Sequence, residues 1–383
     1  MKPRLFKDQG KLSFDYVPDK LVHRERQMET LEMLFRPVLE GSMAQTAMLI
    51  GNVGTGKTAT AKRFGIDLMK AASAAGKNIE FLMINCRQRN TEGAVMQRLV
   101  AHFDERYPDR GFSNAEMLRA VRTHLDRKKM HLVVILDEAD VILGKNGSDL
   151  IYQLSRFDEE KLGGKPSLSL ILISQKYLLD MVDQAALSTF KRANVLRFDR
   201  YQASELRDIV AVRASLAFHE GKVMGESIDL IADIAAENGD ARFAIELLDK
   251  SGMIAEEQEA PLVNAEHVRA AKAFTYSFVT EERIGALDRH RKVILLSIAR
   301  AMKEDAYVTT GEVEKVYKVV AEEYGERARA HSQFWSYLQD LSNQGLILTK
   351  VGSDRSGGRT TLISIPDMPA KEMALQMEQI LAR

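Results

Sequence analysis

The residues best suited to chemistry form a glycine-rich loop between an apolar run and a helix-like stretch. The segment Gly51-Asn-Val-Gly-Thr-Gly-Lys-Thr58 fits the pattern G-x-x-x-x-G-K-[ST] and follows the apolar run Ala47–Ile50. In such a loop, backbone N–H groups surround phosphates and the following helix adds its positive dipole. Lys57 supplies a point charge, and the Thr58 hydroxyl is a ligand for Mg²⁺. The predicted phosphate-binding residues are therefore Gly51, Val53, Gly54, Thr55, Gly56, Lys57 and Thr58.

A second group of candidate residues follows another apolar run, in Val133-Val-Ile-Leu-Asp-Glu-Ala-Asp140. The four apolar residues predict a buried strand, and the chain leaves the carboxyl end of that strand at Asp137. Ligands of open α/β sheets bind at that end. We expect Asp137, with Thr58, to hold Mg²⁺ and Glu138 to orient an attacking water as general base. Loop and carboxylates together predict a site for ATP or ADP with Mg²⁺.

Alternating apolar runs and helical stretches place both groups in one α/β domain. From Thr46 to about Phe198 the alternation predicts a mostly parallel sheet that is covered by helices on both faces. Its apolar runs are Ala47–Ile50, Phe81–Ile84, Leu132–Leu136, Leu168–Ile173 and Val195–Phe198. Strand-like runs then vanish until about Phe274, and this stretch predicts a small all-helical domain. Its expected helix N-caps are Ser204, Ser227, Asp240 and Asn264.

The last hundred residues have the layout of a winged helix. Three apolar helical stripes are followed by two β-like runs, Leu346–Val351 and Thr360–Ile365, around a glycine-containing tip. The second stripe begins with a capping box formed by Thr309 and Glu312. We therefore predict three domains: an α/β P-loop domain at residues 1–200, a helical domain at 201–280 and a winged-helix domain at 285–383.

Composition limits the class of protein. The 383 residues contain 54 lysines and arginines and 54 aspartates and glutamates, so net charge does not indicate nucleic-acid binding. No apolar stretch of about 18 residues is free of charge, and the first residues do not resemble a secretory signal. The single cysteine, Cys86, excludes an intramolecular disulfide and a cysteine-based zinc cluster. We expect a cytoplasmic protein that does not contact membranes.

The order of these motifs resembles the AAA+ ATPases, and more narrowly the archaeal initiator family related to origin-recognition and cell-division-cycle proteins. Asp15-Tyr-Val-Pro-Asp-Lys-Leu-Val-His-Arg-Glu25 resembles the family's N-terminal box, and Phe198-Asp-Arg-Tyr201 resembles the box that opens its helical lid. Gly239-Asp-Ala-Arg242 is similar to its second sensor motif. The segments Val308–Tyr317 and Phe334–Ile347 resemble its winged helix. The resemblance covers nearly the whole chain.

The resemblance implies roles for residues outside the phosphate loop. Contacts to the adenine and the rest of the nucleotide are implied for Val17, His23, Arg24, Tyr201 and Arg213. Arg242 would reach the γ-phosphate from the first turn of a lid helix. Simpler alternatives remain for three of these residues: a core aromatic for Tyr201, a solvated helix face for Arg213 and a surface ion pair for Arg242.

Two positions depart from the family pattern. The first sensor is usually an asparagine, whereas here the strand ends in Ile173-Ser-Gln-Lys176, so Gln175 takes that role with a longer reach. An arginine that acts as a finger across subunits is replaced by Ala185, and Lys191 and Arg192 lie several residues later. An arginine finger is worth roughly 10³–10⁵ in rate. We therefore expect a slow ATPase, which suits a switch better than a motor.

The winged helix predicts contacts to double-stranded DNA. Its third helix normally enters the major groove, and its hairpin contacts the adjacent minor groove or the backbone. The candidate contacts are Arg329, Ser332, Gln333, Trp335 and Ser336 around this helix and Arg355 and Arg359 at the hairpin tip. The family also carries an initiator-specific insertion, which makes Arg110 a further candidate. A solvated hairpin, a core tryptophan and a plain surface loop are the alternatives.

Three functions are compatible with this pattern. The first is an ATP-dependent origin-binding initiator of DNA replication that helps recruit or load the replicative helicase, with self-association on DNA left open. The second is a AAA+ signalling ATPase with a winged-helix transcription-regulator domain. The third is a protein-binding module that never contacts DNA. The matched order of lid, sensor and winged-helix boxes favours the first.

Overall fold

The structure is a computed structural model that describes residues 4–108, 111–144, 148–159, 165–177, 194–275, 281–353 and 357–382. The chain divides into two compact units. The sheet unit is Val17–Tyr201, and the helical unit combines Met1–Tyr16 with Gln202–Arg383. The first sixteen residues, which we assigned to the P-loop domain from their sequence, therefore cluster with the lid and winged helix. Among the described residues, no helix is long and apolar enough to cross a membrane.

The sheet unit is built on a parallel sheet of five described strands in the order β2-β3-β4-β1-β5. The strands are β1 Thr46–Gly51, β2 Ile79–Asn85, β3 His131–Asp137, β4 Leu168–Ser174 and β5 Val195–Phe198. Each contains an apolar run recognised in the sequence. The helices are α1 Glu25–Glu40, α2 Lys57–Ala74, α3 Glu92–Ala101, α4 Asn114–Lys128, α5 Asp140–Leu143 and α6 Ser148–Ser155.

Helices cover both faces of this sheet, which explains why its central strands are apolar along their whole length. On β3, Val133 and Ile135 face one core, and Val134 and Leu136 face the other. Helices α1 and α2 pack on the first face, and α3 to α6 pack on the second. The predicted fold of this domain is confirmed.

The helical unit begins with an N-terminal strap, residues 4–16, that lies along the lid helices. The lid helices are α7 Ala203–Ala217, α8 Gly225–Ala236, α9 Ala241–Glu257 and α10 Ala265–Thr275. The rings of Phe6 and Phe218 are 4.5 Å apart and occupy the space beside Gly252, where a Cβ atom would come within 2.7 Å of Phe218. The backbone N–H groups of Leu5 and Phe6 donate to the Glu256 carboxylate. Strap and lid thus share one core.

The winged helix follows the lid in the same unit. Its helices are α11 Glu281–Gly285, α12 Arg289–Met302, α13 Thr310–Glu323, α14 His331–Asn343 and α15 Ala370–Leu381, and its strands are β6 Val308–Thr309, β7 Leu348–Ser353 and β8 Arg359–Ser364. The strands form an antiparallel sheet in the order β6-β8-β7. The predicted capping box of Thr309 and Glu312 is present at the start of α13. The winged-helix layout is therefore confirmed.

Buried polar contacts join lid and winged helix. Arg269 of α10 is fully buried and donates to the backbone carbonyls of Ile365, Asp305 and Ala306 at 2.8–3.0 Å. Lys350 of β7 donates to Asp233 of α8 at 2.6 Å and lies 3.8 Å from the centre of the Tyr307 ring. Because losing the buried guanidinium would leave these carbonyls without their donor, Arg269 fixes lid and winged helix to each other, and the half-buried Lys350–Asp233 ion pair adds to the contact.

Candidate functional site

The phosphate loop lies between the end of β1 and the start of α2. Gly54 and Gly56 have φ angles of 72° and 87°, in the left-handed region where other residues are strained. A Cβ atom on Gly51 would clash with the backbone carbonyl of Phe198, and one on Gly56 would lie 2.6 Å from the Tyr201 hydroxyl. Thr55 is fully buried, and its hydroxyl donates to the Asn52 carbonyl at 2.8 Å. The glycines are therefore required by the geometry of the loop.

Lys57 and Thr58 occupy the first turn of α2. The Lys57 ammonium donates to the carbonyls of Gly51 and Asn52 at 2.8 and 2.6 Å, so it lies across the loop. The Thr58 hydroxyl donates to Oδ2 of Asp137 at 3.0 Å. A hydroxyl and a carboxylate in contact are oxygen donors of the kind that Mg²⁺ takes alongside phosphate oxygens. These two residues therefore fit the predicted metal ligands.

Asp137 and Glu138 leave the carboxyl end of β3. Burial raises the pKa of the Asp137 carboxyl, against the opposing hydrogen bonds from Thr58 and from the N–H of Glu138. Glu138 has a φ of 55°, which is unusual for a residue with a side chain. Its carboxylate forms an ion pair with Arg87, which our sequence analysis did not select. The predicted general base is thus engaged by a cation in this conformation.

The position of Arg87 follows from the register of the sheet. Strands β2 and β3 are neighbours, and Asn85 is opposite Asp137. A residue just beyond Asn85 therefore emerges beside a residue just beyond Asp137. The basic character of Cys86-Arg-Gln-Arg89 was visible in the sequence, but the strand pairing that makes it relevant was not.

Arg24 and Tyr201 support the loop from behind. Arg24 is buried, and its Nε donates to the Thr55 carbonyl at 2.9 Å while another guanidinium nitrogen donates to the Asp199 carbonyl at 3.1 Å. The guanidinium carbon lies 3.8 Å from the centre of the Tyr201 ring, which is also buried. Both residues therefore hold the loop in shape, and a direct contact of either with nucleotide stays a prediction.

The segment that precedes Arg24 contains the other two residues of the N-terminal box. Val17 and His23 are both half-buried, and His23 has a left-handed φ of 61°. Asp19 anchors the segment to α2, because Arg63 donates to its carboxylate at 3.0 Å. The implied contact to adenine is a prediction for Val17 and His23.

The first sensor position comes directly after β4, and β4 lies between β3 and β1 in the sheet. Gln175 is exposed there, one residue beyond the buried Ser174. The hydroxyl of Ser174 donates to Asp140 at 3.1 Å and accepts from the N–H of Lys176 at 3.0 Å, which fixes the turn that presents Gln175. The positions considered for an arginine finger, Ala185, Lys191 and Arg192, lie outside the described residues.

The two lid arginines belong to the helical unit. Arg213 is buried and donates to the carbonyls of Lys11 and Tyr16 at 2.7 and 3.1 Å, so it holds the strap. Burial lowers the pKa of its guanidinium. Arg213 therefore does not lie on a solvated helix face, which was the alternative interpretation of this residue. Arg242 is exposed in the first turn of α9, whose cap Asp240 accepts from the N–H of Arg242 at 2.8 Å. The nucleotide contacts of both arginines remain predictions.

Three of the candidates for DNA contact line a groove of about 560 Å³ on the winged helix. Ser332 and Trp335 of α14 line it together with Val351 of β7 and Arg359 at the start of β8. Trp335 is half-buried. It packs against the winged-helix core and also lines the groove, so it is neither a fully buried core residue nor a fully exposed one. The groove also contains Glu314, which the sequence analysis missed; its hydrogen bond with His331 lowers the pKa of the carboxyl.

The remaining candidates lie outside this groove lining. Ser336, Gln333 and Arg329 are exposed, and Nε of Arg329 donates to His290 at 2.9 Å. Arg110 and Arg355 lie outside the described residues. The structure therefore brings Ser332, Trp335 and Arg359 to one groove, and it leaves DNA contact as a prediction for every member of the set.

The fold and the site define a AAA+ ATPase that carries a winged helix. A model of the AAA domain matches residues 41–182, one of the Cdc6 AAA+ ATPase-type lid domain matches residues 207–273, and one of the CDC6 C-terminal winged helix domain matches residues 282–373. Relatives cover nearly the full length. The ORC1-type DNA replication protein 2 of Saccharolobus solfataricus is 30% identical over 94% of this chain and 90% of its own.

Further similarities agree with this match. The ORC1-type DNA replication protein of Thermococcus kodakarensis is 32% identical over 96% of this chain and 89% of its own. The crystal structure of Cdc6p from Pyrobaculum aerophilum has a TM-score of 0.87, with 29% identity over 99% of both chains. The chain therefore belongs to the ORC1/Cdc6-type family of DNA replication initiator proteins, which confirms the resemblance seen in the sequence.

Proposed function

We propose that this protein is an ATP-dependent, origin-binding initiator of DNA replication that helps recruit or load the replicative helicase. The observation that carries the proposal is the similarity of the whole chain, at 30% identity and a TM-score of 0.66, to the Aeropyrum pernix ORC1 protein, whose structure was solved in complex with DNA. Double-stranded origin DNA is the proposed partner. The proposed location is the cytoplasm, in association with the nucleoid.

The phosphate loop supports ATP as the regulating ligand. Lys57 would bind phosphate oxygens, since its ammonium already lies across the loop on carbonyl partners that an anion can replace. Thr58 and Asp137 would hold Mg²⁺, which neutralises phosphate charge when bound. Gln175 would hydrogen-bond the γ-phosphate or the attacking water. Arg242 would bind the γ-phosphate from the lid.

The surroundings of Glu138 support slow hydrolysis. A general base must be free to approach the attacking water, and the ion pair with Arg87 holds the carboxylate of Glu138 on another partner. The family's arginine finger is replaced by Ala185, and this replacement also supports slow hydrolysis. An ATPase of this kind keeps ATP bound for long periods, so its nucleotide state can act as a switch for the DNA-bound protein.

The groove on the winged helix supports DNA binding. Serine and glutamine hydroxyl and amide groups on α14 can reach base edges, and arginines such as Arg359 can reach phosphates. Glu314 at the same groove opposes nonspecific phosphate contact, which favours a defined position of the duplex over indiscriminate binding.

Footprinting on genomic fragments, with ATP and with ADP, tests the proposed function. Protection of a few positions that share a sequence element is the expected result. Scattered protection at promoters would instead support a transcription regulator, and no protection at any salt concentration would support a winged helix that binds protein.

Recruitment and self-association require separate measurements. We expect the replicative helicase of the same organism to be retained by DNA-bound protein with ATP and less so with ADP. Sedimentation velocity with and without a duplex that contains the protected site measures self-association. Equal helicase retention in both nucleotide states would contradict the switch.

A further inference from the structure

We propose that Phe14 is a positioning residue for Arg242, the second sensor arginine. The Phe14 ring would hold the guanidinium of Arg242 over its face. The proposal rests on the function proposed above, in which Arg242 acts on the γ-phosphate. The guanidinium carbon of Arg242 lies 5.6 Å from the centre of the Phe14 ring. This distance is within the range in which an arginine is attracted to the negative face of an aromatic ring.

Phe14 lies in a hydrogen-bonded turn of the N-terminal strap. The N–H of Tyr16 donates to the Ser13 carbonyl at 3.2 Å, which closes a turn with Phe14 at its tip. Arg213 holds the strap on both sides of this turn, through the carbonyls of Lys11 and Tyr16. The turn is therefore tied to α7 of the lid, and the ring has a fixed support.

The exposure of Phe14 has no explanation in core packing. The residue is 56% exposed, whereas Phe6 in the same strap is 9% exposed and packs against Phe218. A large aromatic side chain at the tip of a fixed turn contributes little buried area. The contact with Arg242, and not packing in the core, therefore accounts for an aromatic side chain at this position.

Arg242 needs such a support because its side chain is long and exposed. Its backbone is fixed, since Asp240 caps α9 through the N–H of Arg242 at 2.8 Å. An exposed cation–π contact favours the held conformation on the order of two- to fivefold. Phe14 thus sets how often the sensor arginine is extended in one direction.

Two readouts on the full chain test the inference. Single-turnover ATP hydrolysis reports the role of Arg242, and modification of Arg242 by phenylglyoxal, followed by mass spectrometry, reports the contact without any need for activity. For Phe14→Ala we expect a two- to fivefold slower single turnover and a similar increase in the modification rate of Arg242. Phe14→Trp should restore both values, because indole is the strongest partner for a cation. Phe14→Leu should not, because it is apolar but has no ring.

The double variant separates a positioning role from a structural one. In the Arg242→Ala background, Phe14→Ala should cause no further loss of turnover. Rescue by Phe14→Leu, or an equal loss in both backgrounds, would overturn the inference. If Arg242→Ala is slow but Phe14→Ala changes neither readout, the inference is wrong and the proposed sensor role of Arg242 is retained. If Arg242→Ala hydrolyses ATP at the wild-type rate, Arg242 has no sensor role and the inference is wrong as well.

Discussion

Replacing Arg24 with alanine should weaken both the sheet unit and its affinity for ATP. Arg24 connects three parts of that unit: the phosphate loop through the Thr55 carbonyl, the end of β5 through the Asp199 carbonyl, and the buried ring of Tyr201. Arg24→Ala removes all of these contacts and leaves the chain around them unchanged. The variant therefore tests whether the loop keeps its shape because of this one side chain.

The expected cost follows from the individual contacts. The bond to the Thr55 carbonyl is buried, and losing it costs about 1–3 kcal/mol, whereas the partly buried bond to Asp199 costs about 1 kcal/mol because water can replace it. The desolvated cation–π contact with Tyr201 adds about 1–2 kcal/mol. The free energy of unfolding should thus fall by about 3–6 kcal/mol. If about 1.4 kcal/mol of this holds the loop competent, apparent ATP affinity falls about tenfold.

Urea denaturation and calorimetry measure the two effects. Circular dichroism follows both units, whereas fluorescence of the one tryptophan, Trp335, follows the helical unit, so Arg24→Ala should shift the first signal and spare the second. Arg26→Ala is the matched control, because Arg26 is exposed two residues away and should change stability by less than about 0.5 kcal/mol. Wild-type stability and ATP affinity in Arg24→Ala would refute the reasoning.

The remaining predictions concern Lys57 in the phosphate loop, Glu138 with its partner Arg87, and Arg359 of the winged helix. Lys57→Ala should weaken ATP binding about 10- to 100-fold in calorimetry, because a charge-assisted hydrogen bond is lost; equal affinity would exclude Lys57 from the site. Glu138→Gln should keep ATP bound and slow phosphate release by about 10²–10⁴. Arg87→Ala should speed phosphate release, because it frees Glu138, and an unchanged rate would show that the ion pair does not restrain turnover. Arg359→Ala should lower the log–log salt slope of duplex binding by about 0.9, whereas Arg359→Lys should preserve the slope.

Local patterns in the sequence were sufficient for the sheet and for the residues at its carboxyl edge. The run Leu132–Leu136 lies within β3, and the glycine-rich loop connects β1 to α2 as expected. These features depend on neighbours within a few residues of one another. The expected helix cap at Asp240 was also correct, whereas Ser227 lies inside α8, where its hydroxyl instead donates to the Val263 carbonyl at 3.2 Å.

Contacts between distant segments could not be predicted. Nothing near Phe6 in the sequence indicates that its ring packs beside Gly252, so residues 1–16 were assigned to the domain that they precede. Arg213 was expected beside the nucleotide, with a solvated helix face as the alternative, and neither interpretation foresees its hydrogen bonds to the strap. Arg87 becomes relevant only when β2 is known to pair with β3. In each case the missing information is which segment lies opposite another.

The attachment of the strap to the lid imposes an order on the folding of this protein during its synthesis. The N–H of Leu5 bonds to Glu256, 251 residues later in the chain. At about 5–20 residues per second, the ribosome delivers that partner roughly 12–50 s after the strap has been made. During this interval the apolar side chains of Leu5, Phe6 and Leu12 have no lid to cover them. The sheet unit, Val17–Tyr201, is by contrast complete before the lid exists. The strap is thus translated well before the lid that it binds, and it can dock only once the lid has been made.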